Sequence, residues 1–183
     1  VRRYGFATGS RYAKECHGKR MKIQIVDMND NLVGVKERSE IDYSTDIYRG
    51  SALWLTNSKG QVLLAKRAAT KDKDPGKWGP AVAGTLDEGE TYKENIVKEA
   101  REEIGLSDIT FTSGPKVYTS YPTKYFNQWY LASIDRVADE FTIHADEVDA
   151  VTWVDLDYLS ADIQLMPEKY IPNFTKTVDI FVA

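Results

Sequence analysis

Glu99, Glu102 and Glu103 are carboxylates spaced i, i+3 and i+4. On a helix that spacing gathers all three on one side, within about 100° of arc. Acids packed so closely repel one another unless a cation sits among them. Oxygen-only ligands suit a hard ion, Mg²⁺ or Mn²⁺, which keeps several of its own waters and draws further oxygens from substrate phosphates. The chemistry open to such a trio is metal-assisted attack on a phosphoryl group.

The element that must carry them is marked at both ends. Thr91 followed by Glu94 is a capping box that starts a helix at Tyr92. Gly105 stops it, because glycine takes the left-handed conformation of a closing turn, and Leu106 then folds back onto apolar surface. Tyr92, Ile96, Val97, Ala100 and Ile104 form one apolar stripe that faces the core. The acids are centred about 100° from that stripe. Glu99 and Glu103 therefore border buried surface.

Other elements are expected on both sides of this helix. Ile23–Asp27 and Leu32–Val35 read as strands joined by the turn Met28–Asn31. Ser51–Leu55 and Gln61–Arg67 are expected to pair as a hairpin through Asn57-Ser58-Lys59-Gly60. Side chains alternate across a strand, so Lys66 and Arg67 point to opposite faces and only one can address a phosphate over the helix. Arg67, with its two-pronged guanidinium, is the candidate clamp. Residues 68–80 read as a loop that delivers Lys71, Lys73, Lys77 and Trp78, and Lys77 is a second phosphate candidate. Further strands are expected over Asp108–Thr112, Lys116–Thr119, Gln128–Ile134 and Ala150–Val154, with an aromatic loop over Ser120–Phe126. Asp155 is expected to cap a short helix, and Pro172 to open a terminal helix with Phe174, Val178 and Phe181 as its seam.

At 183 residues and net charge −4, the chain is expected to fold as one domain over residues 21–183, preceded by a basic arm or leader over 1–20. The charge gives no support to nucleic-acid or anionic-membrane binding, and no apolar run approaches a membrane span. The single cysteine, Cys16, can form no internal disulfide, and His17 and His144 make no zinc site. A reducing cytoplasm is the compartment that fits. The oligomeric state is compatible with a homodimer.

The spacing of Gly84, Glu90, Lys98, Glu99, Ala100, Glu102, Glu103, Gly105 and Leu106 resembles the Nudix box: Gly, five residues, Glu, seven residues, then Arg-Glu-aliphatic-any-Glu-Glu-any-Gly-aliphatic. Six identical positions have a chance probability on the order of 10⁻⁷ per window. One position departs, with Lys98 in place of Arg. In the family that Arg ties the loop glutamate, here Glu90, and nearby carbonyls to the helix through a planar fork that an ammonium lacks. A less firmly held loop is therefore expected, with reduced activity or a rearranged loop rather than loss of metal binding. Arg67, Pro75-Gly76-Lys77-Trp78 and the opening Val26-Asp27 also resemble the isopentenyl-diphosphate isomerase branch. Ala83 and Thr85 stand where those isomerases have a catalytic Cys and a metal-binding His.

The resemblance implies an α/β/α sandwich, a mixed β-sheet between helical layers. It implies Mg²⁺- or Mn²⁺-dependent hydrolysis of a small-molecule diphosphate, most often a nucleoside diphosphate derivative. Glu99, Glu102, Glu103 and the Gly84 carbonyl would hold the metal. Glu99 either completes that shell or takes the proton from water, and Glu147 is the competing base. Arg67 and Lys77 would bind substrate. Two alternatives stand beside this reading. Prenyl-diphosphate isomerisation would have to proceed without the loop Cys and His, and a binding module would retain a nucleotide without cleaving it.

Overall fold

The computed structural model describes residues 21–182; the expected basic arm over 1–20, with Cys16 and His17, lies outside them. Among the described residues nine strands form the sheet: β1 (Lys22–Val26), β2 (Leu32–Glu37), β3 (Ile47–Thr56), β4 (Gln61–Arg67), β5 (Trp78–Pro80), β6 (Val82–Thr85), β7 (Thr112–Thr119), β8 (Lys124–Ser133) and β9 (Val148–Asp155). The helices are α1 (Tyr92–Ile104), α2 (Leu156–Leu165) and α3 (Pro172–Val182). β3 and β8 run parallel from Ile47 against Lys124 to Thr56 against Ser133, and the other pairings are antiparallel. The sheet is mixed, as expected.

β3 lies at its centre and is buried on both faces, which is why it reads as an apolar run rather than an alternation. Leu53 and Leu55 pack with Ile96, Ala100 and Ile104 of α1. Ala52 and Trp54 pack on the opposite face with Leu159 of α2 and Phe174 and Val178 of α3. Helical layers therefore cover both faces, and the α/β/α sandwich is the observed architecture. Phe181 completes the expected α3 seam by stacking on Trp54, with centroids 4.3 Å apart and planes 13° from parallel.

The caps of α1 form as read. Thr91 Oγ1 accepts from the Glu94 N–H, Glu94 Oε2 accepts from the Thr91 N–H, and Gly105 takes φ 66°. Leu106 is buried. A Cβ built on Gly105 would lie 2.8 Å from the Thr142 Cβ. Gly105→Ala is therefore expected to cost at least about 1–2 kcal/mol, the left-handed penalty alone, with the clash in addition. Urea denaturation reads this directly, and an unchanged midpoint would contradict it.

Several expectations are corrected. The Ser51–Leu55 and Gln61–Arg67 strands meet only at Thr56–Val62 and then part, β3 toward β6 and β8, β4 toward β5 and β9. The 68–80 loop ends in a short strand, β5, held by Leu64–Lys66. Asp108–Phe111 is not a strand; β7 begins at Thr112. Lys124–Phe126 belongs to β8, not to the aromatic loop. Val97 is exposed, so the core stripe of α1 is narrower than expected. Asp155 occupies the N-cap of α2 without a side-chain cap bond.

Candidate functional site

Two strands and a loop bring distant residues to the acidic edge of α1. β6 runs antiparallel to β3, pairing Ala83 with Ala52 and Gly84 with Ser51. Alternation turns Gly84 and Ser51 toward α1, where Ser51 Oγ donates to Asn95 Oδ1 at 2.6 Å. The missing Cβ of Gly84 is a packing requirement: built in, it would sit 2.8 Å from Glu99 Oε1 and still closer to that side chain's carbons. Glycine here lets backbone and carboxylate lie side by side. At the other end of α1 the His144 N–H donates to the Glu103 carbonyl at 3.0 Å. That bond draws the 144–147 loop alongside, and the Ala68 N–H anchors it by donating to the Glu147 carbonyl.

Glu103 receives the consequence. Burial first, then the charges of Glu99 and Glu147, push its carboxyl up to about 8, against a hydrogen bond from the Ala83 N–H and the nearby Arg67 guanidinium. Burial likewise raises Glu99, with Glu102 and Glu90 adding to the rise and Lys98 opposing it. The charges of Glu99, Glu147 and Arg67 thus all reach Glu103.

Other expected residues are placed differently. The Glu102 side chain is 56% exposed and reaches Arg101 at 4.0 Å. Among the described residues, no three His, Cys, Asp or Glu side chains stand close enough to cage a cation. The trio gathered by helical spacing is therefore only partly gathered in space. Glu147 pairs with Lys71 at 2.5 Å. Arg67 Nε donates to the Lys73 carbonyl at 2.9 Å. Lys77 turns to Asp74 at 3.2 Å. His144 is exposed, as read.

A cavity of about 300 Å³ adjoins this edge. Its walls include Tyr48, Val117, Tyr125, Trp129, Ile171 and Phe174, and Ala83-Gly84-Thr85 closes one side. The Ala83 N–H serves Glu103, so one residue borders both cavity and acids. A larger hollow of about 430 Å³ lies by Trp78, Trp153, Tyr158 and Tyr170; Glu99, Glu103 and Glu147 line neither hollow, but Ala83 and Gly84, the residues beside Glu103 and Glu99, line only the smaller one. The smaller cavity is the candidate site.

Residues 48–174 match the NUDIX domain. The chain belongs to the Nudix family. It is 30% identical over 152 residues to the prenyl-diphosphate phosphatase of Methanosarcina mazei, covering 82% of this chain and 88% of that one. It is 29% identical over 157 residues to isopentenyl-diphosphate Delta-isomerase 2 of Photorhabdus laumondii, covering 85% and 89%. The crystal structure of DR0079 from Deinococcus radiodurans shares the fold with TM-score 0.76 and 22% identity, over 86% of this chain and 97% of that one.

In Nudix terms, the loop before the helix is held in spite of its substituted arginine. Lys98 Nζ donates to Glu90 Oε1 at 2.6 Å and lies 3.3 Å from both Asp87 Oδ2 and Glu99 Oε1. Burial works against the ammonium, yet these carboxylates hold its pKa above the usual lysine range. Lys98→Met should cost about 2 kcal/mol, between an exposed and a fully buried pair, because three acids lose their shared cation. Thermal unfolding measures the loss, and a variant as stable as the parent would contradict it.

The donor set fits the divalent cation that Nudix hydrolases generally use. It is all oxygen, its acids are raised by burial and then by one another's charge, and glycine opens the backbone beside Glu99.

Sequence reading missed Asn95 and Gln24. Asn95 is fully buried and donates from Nδ2 to Glu90 Oε2 at 2.9 Å and to the Thr85 carbonyl at 3.2 Å. A polar amide set among core positions of the helix was the available signal.

Proposed function

We propose that this protein hydrolyses the phosphoric anhydride bond of an organic diphosphate with the help of Mg²⁺ or Mn²⁺. The observation that supports this is the buried Glu103 carboxyl, within reach of the charges of Glu99, Glu147 and Arg67 and next to Ala83, which with Gly84 also lines the cavity. Glu99, Glu103 and the Gly84 carbonyl would hold the cation, joined by Glu102 once it turns in from solvent. A bound cation supplies charge neutralisation on the diphosphate oxygens and lowers the pKa of a coordinated water. Arg67 would take a phosphate oxygen pair through its guanidinium. Glu99 or Glu147, both flanking Glu103, would accept the proton from the attacking water. Lys77, paired with Asp74, is the weaker clamp, and Lys73 at the cavity edge is better placed.

The organic group would occupy the cavity. A nucleoside is the most frequent group in the family, but the aromatic and aliphatic walls favour an apolar one. The likeness to a prenyl-diphosphate phosphatase points the same way. Prenyl diphosphates are therefore the preferred class and nucleoside diphosphate derivatives the second. Isomerisation is disfavoured because Ala83 and Thr85 offer neither thiol nor imidazole to a carbon centre.

The test is a panel containing isopentenyl, geranyl and farnesyl diphosphates together with ADP-ribose, with Mg²⁺ or with EDTA, and with products weighed by mass spectrometry. Metal-dependent release of phosphate and a prenyl monophosphate is the expected result. Preferential cleavage of ADP-ribose would move the assignment to the nucleoside class. An isomer of unchanged mass, or no product from any compound, would overturn the hydrolase reading.

A further inference from the structure

The loop Asp87–Glu90 links β6 to α1 and must be fixed if Glu90 and Glu99 are to keep their places. Lys98 fixes only its carboxylates. An ammonium has three donors on one point. It stands against Glu90 Oε1, Asp87 Oδ2 and Glu99 Oε1, and among the described residues none of its hydrogen bonds goes to a backbone carbonyl.

The loop carbonyls are held from the other side. Gln24, in the middle of β1 and only 3% exposed, donates from Nε2 to the carbonyls of Asp87 and Glu90, both at 2.7 Å. Its orientation is fixed by chemistry, because Oε1 accepts at 2.8 Å from Arg49 Nη1 and a guanidinium can only donate. Arg49 is fixed in turn: Nε donates to Asp30 Oδ1 at 2.7 Å, Nη2 donates to the Asp30 carbonyl, and the guanidinium lies 5.4 Å over the Tyr92 ring. Tyr92 is the first residue of α1, and its hydroxyl donates to Asp30 Oδ1 at 2.9 Å. One amide thus joins β1, the loop and the start of the helix.

We infer that Gln24 is a positioning residue for the Asp87–Glu90 loop beside the metal-binding helix, holding through two carbonyls what Lys98 does not hold. Two residues then share a task for which one guanidinium at position 98, with five donors in a planar fork, has donors enough. Rescue follows from this division: an arginine at 98 should make Gln24 less necessary. A residue that merely fills the core would show no such compensation.

The kinetic arm of the test rests on the hydrolase reading above; a second arm does not. Gln24→Leu removes donors and acceptor together. Gln24→Glu keeps an oxygen for Arg49 and loses only the donors, so it serves if the leucine variant fails to fold. Hydrogen exchange followed by mass spectrometry should show the segment Leu86–Glu90 exchanging about tenfold faster in either variant. With the best substrate of the panel and saturating Mg²⁺, kcat should fall by about 10–100-fold while KM stays within about twofold, as expected when a catalytic group is displaced. Adding Lys98→Arg to Gln24→Leu or Gln24→Glu should recover most of that loss. Parental exchange in both variants, or a kinetic loss that Lys98→Arg leaves uncorrected, would overturn the inference. If the parent protein turns over nothing in the panel, the hydrolase reading falls and exchange with its Lys98→Arg rescue decides the role of Gln24.

Discussion

Glu103→Gln is expected to lower kcat by about 10³-fold or more in saturating Mg²⁺ while leaving the fold intact. The amide is nearly the same size as the acid and can still accept from the Ala83 N–H. What it removes is the charge at the point that the charges of Glu99, Glu147 and Arg67 all reach. Mn²⁺ affinity measured by electron paramagnetic resonance should weaken in parallel. Because the amide needs no proton to sit buried among acids, whereas the carboxyl must take one up on folding, the metal-free variant should be at least as stable as the parent near neutral pH. Parental turnover in the folded variant would remove Glu103 from the metal site.

The second large effect is on pH. The Glu103 carboxyl is raised from 4.5 to about 8 by burial and by its acidic neighbours. Between these values the folded, metal-free chain holds a proton that the unfolded chain releases. The stabilising contribution is therefore complete below about 4.5 and is lost as pH rises through about 8. In EDTA the melting temperature should fall across this window. Saturating Mg²⁺ should reverse the fall at its upper end, because the cation takes the place of the proton. Metal affinity should tighten by up to about tenfold per pH unit below the Glu103 pKa and level off above it. Differential scanning fluorimetry with and without Mg²⁺ measures both trends. A flat metal-free profile, or one unchanged in Glu103→Gln, would show that Glu103 does not carry this proton.

The parts of this molecule legible in the sequence are those decided by near neighbours. The ends of α1 could be read to the residue because a capping box and a left-handed glycine are local devices, complete within four or five positions. The apolar run Ser51–Leu55 read as a strand for the same reason, while its burial on both faces became visible only in the sheet. Partners set by the rest of the chain were not legible. β3 and β4 look like a hairpin because a good turn joins them, yet each finds a better neighbour in strands far along the sequence. Gln24 sits between two isoleucines, a pattern that serves equally for a solvated face and for a buried amide reaching a loop more than sixty residues away. Helical spacing placed Glu102 with Glu99 and Glu103, but spacing says nothing of rotamers, and the side chain turns to Arg101 and water.

Ala83 has one further consequence. Its backbone N–H serves the acid, while the exposed residue itself lines the hollow where the organic moiety would rest. Exchanging the alanine methyl for a bulkier or reactive group would change which molecules fit, or what befalls their carbon skeleton, while the phosphate chemistry kept its footing. Divergence between relatives that cleave and relatives that rearrange could therefore proceed one side chain at a time along a single short strand.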